Sequence, residues 1–97
     1  MDAKKLQVIL NTAKIGSINK AAEKLGYTQS GLTYLINSIE EEIGISLLNR
    51  SHMGISLTDE GNELLPYIED MIKSEQTFFT KAQQIKSRST DKITIGA

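Results

Sequence analysis

The stretch TQSGLTYLINSIEEEIG, residues 28–44, has the clearest helical periodicity in the chain. Its apolar residues recur at i, i+3, i+4, i+7 and i+11, which puts them on one face of an amphipathic helix. They are Leu32, Leu35, Ile36, Ile39 and Ile43. Thr28 is a favourable N-cap and Gly44 a favourable stop, so the sequence predicts a helix over residues 28–43 with one buried stripe.

The other side of this helix is uncharged until three glutamates arrive at positions 40–42. Ser30, Thr33, Tyr34 and Asn37 follow helical spacing roughly opposite the apolar stripe. Such a face either meets only water, or contacts nucleic acid, where amides and hydroxyls bond to base edges and carboxylates are repelled by phosphates. Periodicity alone leaves both interpretations open.

Two shorter helices precede this one. The first is capped by Asp2 and ends at Gly16, and the second, NKAAEKLG, takes Asn19 as its cap and ends at Gly26. The short turn between Gly26 and Thr28 joins the second helix to the third, which is the pattern of a helix-turn-helix.

A hairpin and a long helix follow. Short apolar runs at 47–57, with Gly54 in the turn, predict a two-stranded wing. Thr58 caps a helix over 59–88, roughly 45 Å long. Pro66 lies inside it and should either cost about 3 kcal/mol or produce a kink. The heptad stripe of this helix, interrupted at Glu75, extends beyond what so small a globule covers and predicts a dimer interface. The interface residues are Leu64, Ile68, Met71, Ile72, Phe78, Phe79, Ala82 and Ile85.

The predicted fold is therefore mainly α: a winged helix-turn-helix of three helices and a two-stranded wing, followed by a long dimerisation helix. The stretch SRSTDK is interpreted as a flexible linker and ITIGA, from Ile93, as the start of a strand. These predictions divide the chain into a winged helix-turn-helix at 1–58, a linker helix at 59–88, and a hinge with the start of a strand at 89–97.

Composition narrows the classes of function. The chain has 97 residues, a net charge of −1, one histidine and no cysteine. This argues against disulfides, a metal site or a cofactor in this fragment. No apolar run has the length of a signal peptide or membrane span, so a cytoplasmic protein without membrane contact is expected. No nucleophile with a base, acid pair or phosphate-binding loop can be assembled, so an enzyme is not expected.

The segments GSINKAAEKLGYTQSGLTYLINSIEEEIGISLLNR and GISLTDEGNELLP resemble the N-terminal DNA-binding domain of LysR-type transcriptional regulators of bacteria. The agreement spans about residues 3 to 88, at many fixed spacings. Its points are Ser17, Ala21, Ala22, Leu25, Gln29, Ile36, Glu40, Gly44, Leu47, Arg50, Leu57, Thr58, Gly61 and Pro66. KITIGA is similar to the first strand of that family's effector-binding domain. The resemblance therefore implies a DNA-binding domain at 1–58, a linker helix at 59–88, and a hinge with the start of an effector-binding domain at 89–97. The chain is then one piece of a protein about three times longer, or a naturally short product.

The resemblance implies a homodimer, or a tetramer in a full-length protein, that binds double-stranded promoter DNA at an interrupted inverted repeat. A small-molecule effector would act through the missing C-terminal domain. Asn37 is added from the geometry of the helix face, and Thr28 from its place at the helix N-terminus. The expected DNA-binding residues are Thr28, Gln29, Ser30, Thr33, Tyr34, Asn37, Arg50 and His52.

Two further expectations accompany this interpretation. Glu40 is predicted to pair with Arg50 and fix the start of the wing. Position 34 is commonly basic in the family and is tyrosine here, while position 30 is often proline and is serine here, so base preference should differ from that of relatives. The alternative function is a winged-helix protein-interaction or dimerisation module without specific DNA readout, which the near-neutral charge favours.

Overall fold

A computed structural model describes residues 2–51 and 53–96, with side chains described up to residue 88. Within these residues the chain forms four helices and one two-stranded antiparallel sheet. In chain order the elements are α1 Ala3–Ile15, α2 Ile18–Leu25, α3 Gln29–Ile43, β1 Leu48–Ser51, β2 Gly54–Leu57 and α4 Asp59–Gly96. The predicted winged helix-turn-helix followed by a long helix is confirmed.

The helix N-termini are capped by side chains. Asp2 Oδ1 accepts the Lys5 N–H at 3.0 Å, and Thr28 Oγ1 accepts the Gly31 N–H at 3.0 Å. The cap predicted for α2 is wrong, because Ser17 Oγ accepts the Lys20 N–H at 3.3 Å and Asn19 lies inside the helix. Starting the helix at Ile18 also lets that side chain pack against the core.

The core lies where the first three helices meet the wing and the start of α4. Leu32 and Ile36 of α3 are fully buried, as predicted from their spacing. They pack beside Ala21 and Ala22, whose small side chains allow α2 and α3 to approach closely. The uncharged face of α3 is therefore held outward by burial of the opposite face, at roughly 1.5–3 kcal/mol for each large apolar side chain.

The wing is attached to the end of α1. Leu48 pairs with Leu57, and Ser51 pairs with Gly54. The Ile55 N–H donates to the Gly16 carbonyl at 2.9 Å. Gly54 has φ +127°, and a Cβ there would lie 2.9 Å from the Gly16 oxygen. Only glycine fits this close approach, which fixes the wing beside the helix-turn-helix.

Thr58 joins the wing to α4. Its N–H donates to the Leu47 carbonyl at 2.9 Å, and its hydroxyl donates to the Ser46 carbonyl at 2.7 Å while accepting the Gly61 N–H at 2.8 Å. A Cβ on Gly61 would lie 2.6 Å from the Leu47 oxygen, so the first turn of α4 packs directly on the backbone before β1. The start of the long helix is thus set by the wing.

The long helix α4 runs through Pro66 and continues to Gly96. The predicted end near residue 88, the flexible linker and the strand from Ile93 are therefore wrong for the backbone of residues 89–96. Residues 89–95 contain neither proline nor glycine, so nothing local interrupts the helix. The division into domains stays a prediction. In the part of the chain that the structure describes, no helix combines the length and apolar character needed to cross a membrane.

Candidate nucleic-acid interface

The exposed face of α3 brings five of the predicted DNA-binding residues together. They line one open surface depression and are Gln29, Ser30, Thr33, Tyr34 and Asn37. None of these side chains is charged, and the Tyr34 ring projects with 77% of its surface exposed. The depression therefore offers hydroxyls, amides and one aromatic ring, the groups that bond to and stack against base edges.

Thr28 has a structural task at the N-terminal end of this face. Its oxygen caps α3 by accepting the Gly31 N–H. A hydroxyl that accepts one bond still has its own proton to donate, and Thr28 is exposed. The positive end of the helix dipole favours an anion there, so capping and phosphate binding are compatible.

Arg50, on β1, links the wing to α3. Its Nη2 donates to Asn37 Oδ1 at 2.7 Å and to Glu40 Oε1 at 3.2 Å, where the Arg50 and Glu40 side chains are 33% and 14% exposed. The predicted Glu40–Arg50 pair is confirmed. The sequence did not reveal that Asn37 shares this guanidinium, because the two residues lie far apart in the chain.

Glu40 also anchors the backbone that leads into the wing. Its Oε2 accepts the Leu47 N–H at 2.7 Å and the Leu48 N–H at 3.0 Å. The Ser46 hydroxyl donates to the same oxygen at 3.4 Å. One carboxylate therefore holds the start of β1 with one oxygen and Arg50 with the other.

A second depression, between the start of α2 and the wing, adds residues that the sequence did not single out as DNA-binding. Asn19 and Lys20 line it together with Arg50, Ser51 and the exposed Met53. Recognising Ser17 as the N-cap of α2 would have pointed to these residues, because the cap marks a helix N-terminus on this side of the molecule. His52, predicted to contact DNA from the wing tip, lies outside the described residues.

The predicted dimer residues fall into two groups. Five are exposed along α4, namely Met71, Phe78, Phe79, Ala82 and Ile85. Leu64 and Ile72 are partly buried against the core of the same chain, and Ile68 is 5% exposed within it. Assigning Ile68 to a dimer interface is therefore wrong, because the first turns of α4 pack on α1 and use that part of the stripe internally.

Within the residues that the structure describes, the interior contains no second chemical site. The buried Thr12 hydroxyl donates to the Val8 carbonyl at 2.8 Å. Among the described residues, no buried side-chain nitrogen or oxygen lacks a hydrogen-bond partner, and no three potential ligands are grouped to hold a metal ion. The chemistry that this part of the chain offers lies on its surface.

Comparison with known proteins gives a consistent result. Residues 3–62 match the model of the bacterial regulatory helix-turn-helix protein, lysR family. The HTH-type transcriptional regulator YcgK of Bacillus subtilis (strain 168) is 32% identical over 96 residues, covering 99% of this chain and 30% of YcgK.

Solved structures agree with the sequence matches. The structure of VV2_1132, a LysR family transcriptional regulator, superposes with a TM-score of 0.81 at 27% identity, covering 88% of this chain and 29% of that one. The BenM DNA-binding domain bound to catB site 1 DNA superposes with a TM-score of 0.78 at 29% identity, covering 90% of this chain and 98% of that one. YcgK and VV2_1132 are transcriptional regulators rather than enzymes, in agreement with the expectation from the sequence. The chain spans about a third of the length of the curated relatives it matches.

Proposed function

The chain belongs to the lysR family of bacterial regulatory helix-turn-helix proteins, and we propose that it binds promoter DNA as a dimer to regulate transcription. The observation that carries the proposal is the uncharged face of α3, whose five polar residues, four of them exposed and Thr33 half-buried, line one depression beside Arg50. A carboxylate-free face next to a cation suits a groove whose walls are phosphates and whose floor is base edges.

The proposed contacts divide by chemistry. Gln29, Thr33 and Tyr34 reach base edges from the first half of α3, as in other helix-turn-helix proteins. Thr28 and Arg50 contact phosphates, the former at the helix N-terminus and the latter through guanidinium N–H groups not used within the chain. His52 is proposed as a wing contact on the sequence alone.

The proposed dimer forms through the exposed apolar row of α4. Phe78 and Phe79 are 66% and 57% exposed, and their rings meet edge to face at a centroid distance of 5.3 Å. Large aromatic side chains left in water on a helix mark a surface that a partner covers. The partner proposed is a second copy of the chain, because the row continues a heptad pattern.

The charges of α4 indicate how two copies pair. The segment 59–70 holds five acidic residues and no basic one, and they are Asp59, Glu60, Glu63, Glu69 and Asp70. The segment 73–88 holds four basic residues, Lys73, Lys81, Lys86 and Arg88, with one acid, Glu75. Antiparallel helices place the acidic half of each beside the basic half of the other, whereas parallel helices place like charges together.

A two-fold dimer presents two equivalent α3 helices, so its operator is proposed to be an inverted repeat. Because promoter DNA lies in the bacterial cytoplasm, the proposal puts the protein there. A small-molecule effector, a further domain that binds it, and assembly of dimers into tetramers belong to the proposal for the whole protein. The fragment itself is proposed to need no cofactor.

Selection of DNA from a random pool by the purified protein tests the proposal. A specific regulator enriches a two-fold symmetric sequence, and its affinity falls with salt as phosphate contacts are lost. Gln29→Ala and Thr33→Ala should each weaken binding to the selected site by about 1–3 kcal/mol while leaving binding to random DNA nearly unchanged.

Glu42→Ala, beyond the groove-facing part of α3, is the matched control and should leave the selected sequence intact. Equal losses of affinity for selected and random DNA would show that Gln29 and Thr33 do not read bases. Enrichment of no sequence would favour the interaction-module alternative.

A further inference from the structure

The side-chain amide of Asn37 is held in one orientation by its neighbours. Its side chain is exposed on the α3 depression, about 12 Å along the helix from Gln29 at 1.5 Å per residue. Its Oδ1 accepts from Arg50 Nη2 at 2.7 Å. A guanidinium only donates hydrogen bonds, so the oxygen of the amide must face Arg50 and the NH₂ group must point away.

The hydrogen-bond partners of Arg50 maintain this orientation of the Asn37 amide. Glu40 fixes the guanidinium through Oε1 at 3.2 Å, and the Leu47 and Leu48 N–H groups fix Glu40 through Oε2. The Asn37 amide is therefore the end of a chain of hydrogen bonds that begins in the backbone before the wing. Among the described residues, none accepts a hydrogen bond from the Asn37 nitrogen, so both of its protons remain available.

We propose that Arg50 makes Asn37 a donor-only reader of DNA, which selects a base with hydrogen-bond acceptors, guanine first and thymine second. The inference rests on the proposed function and deepens it by assigning a base class to one position. It departs from the usual asparagine contact, in which the amide oxygen accepts from adenine N6 while the nitrogen donates to N7.

The base edges explain the ranking. In the major groove guanine offers two acceptors, N7 and O6, and thymine offers O4. Adenine places its N6–H₂ donor beside N7. That donor would have to approach the Asn37 oxygen, which already accepts from Arg50, and it would meet the guanidinium N–H groups, which are donors too. Cytosine presents its N4–H₂ donor to the Asn37 protons and is the least compatible.

Sequencing of DNA selected by the full chain and its variants tests the inference. The contacted position is the one whose base preference relaxes with Asn37→Ala. Wild type should select guanine or thymine there. Asn37→Asp has nearly the same shape, keeps an acceptor for Arg50 and removes the donors, so it should shift the preference to cytosine by roughly 5- to 150-fold. Arg50→Ala frees the amide and should raise adenine at the same position.

Lys20→Ala is the control, since Lys20 lines the second depression and should lower affinity without changing any base preference. Thermal melts of every variant confirm that it is folded. Adenine preferred by wild type at the Asn37 position, or a preference unchanged in Asn37→Asp, would overturn the inference and leave the proposed function standing. A wild-type protein that enriches no sequence would overturn both.

Discussion

Replacing Glu40 by alanine removes the carboxylate that joins α3 to the wing, and we expect the folded domain to lose about 3 kcal/mol of stability. The Leu47 and Leu48 N–H groups lose an acceptor at 2.7 Å and 3.0 Å in a partly buried place. Each unsatisfied donor costs about 1 kcal/mol, at the low end because water has partial access. The Arg50 pair is one-third exposed on the arginine side and adds at most about 1 kcal/mol.

For a domain of this size the loss corresponds to a fall in Tm of roughly 12–24 °C. The assay is thermal unfolding followed by circular dichroism, at one protein concentration because dimerisation makes the Tm depend on concentration. Glu40→Gln should lose only about 1 kcal/mol, since an amide oxygen can still accept both N–H groups while the charge is lost.

Glu41→Ala is the matched control. Glu41 is the next residue of α3 and is exposed, and removing it relieves the same unfavourable interaction of a carboxylate with the negative end of the helix. Its stability should stay within about 0.5 kcal/mol of wild type. If Glu40→Ala had the same Tm as Glu41→Ala, the Glu40 carboxylate would not be the group that fixes the wing to α3.

Three further substitutions probe the packing and the proposed dimer. Gly61→Ala should lose about 1–3 kcal/mol in the same melts, because its Cβ would lie 2.6 Å from the Leu47 oxygen. Ile36→Ala, at a site with no solvent exposure, should lose about 2–5 kcal/mol of unfolding free energy, and a smaller loss would mean that the core collapses around the gap. Phe79→Asp should yield a folded monomer in sedimentation. Thr80→Asp, at an exposed position about 100° around α4 from Phe79 and outside the apolar row, should stay dimeric. A dimeric Phe79→Asp would exclude this row as the interface.

Features written in short stretches of sequence were predictable. The helix over 28–43 was identified because its caps and its 3.6-residue spacing are both local signals, and Thr28 performs the capping expected of it. The cap of α2 was assigned to Asn19 because two acceptable cap residues, Ser17 and Asn19, stand two positions apart. Packing of Ile18 decided between them.

The far end of α4 shows that local signals can also predict an interruption of a helix that does not occur. Polar composition was interpreted as a linker over residues 87–92, SRSTDK, yet composition lowers helix propensity only slightly in the absence of glycine or proline. The apolar stripe of α4 shows a related limit. Its spacing identified Ile68 and Phe79 alike, but only the placement of α1 separates the residue buried in the monomer from the one left for a partner.

The sequence by itself determined that one helix carries an uncharged polar face and that a wing follows. It also determined that the apolar stripe of a long amphipathic helix extends beyond what the small core can cover. It also predicted the Glu40–Arg50 pair, whose two side chains carry opposite charges. Only the tertiary structure decided that Arg50 shares its guanidinium with Asn37 and that Glu40 holds the backbone before the wing. Those bonds join positions far apart in the chain, and their existence depends on how α3 packs against β1, which no local pattern encodes.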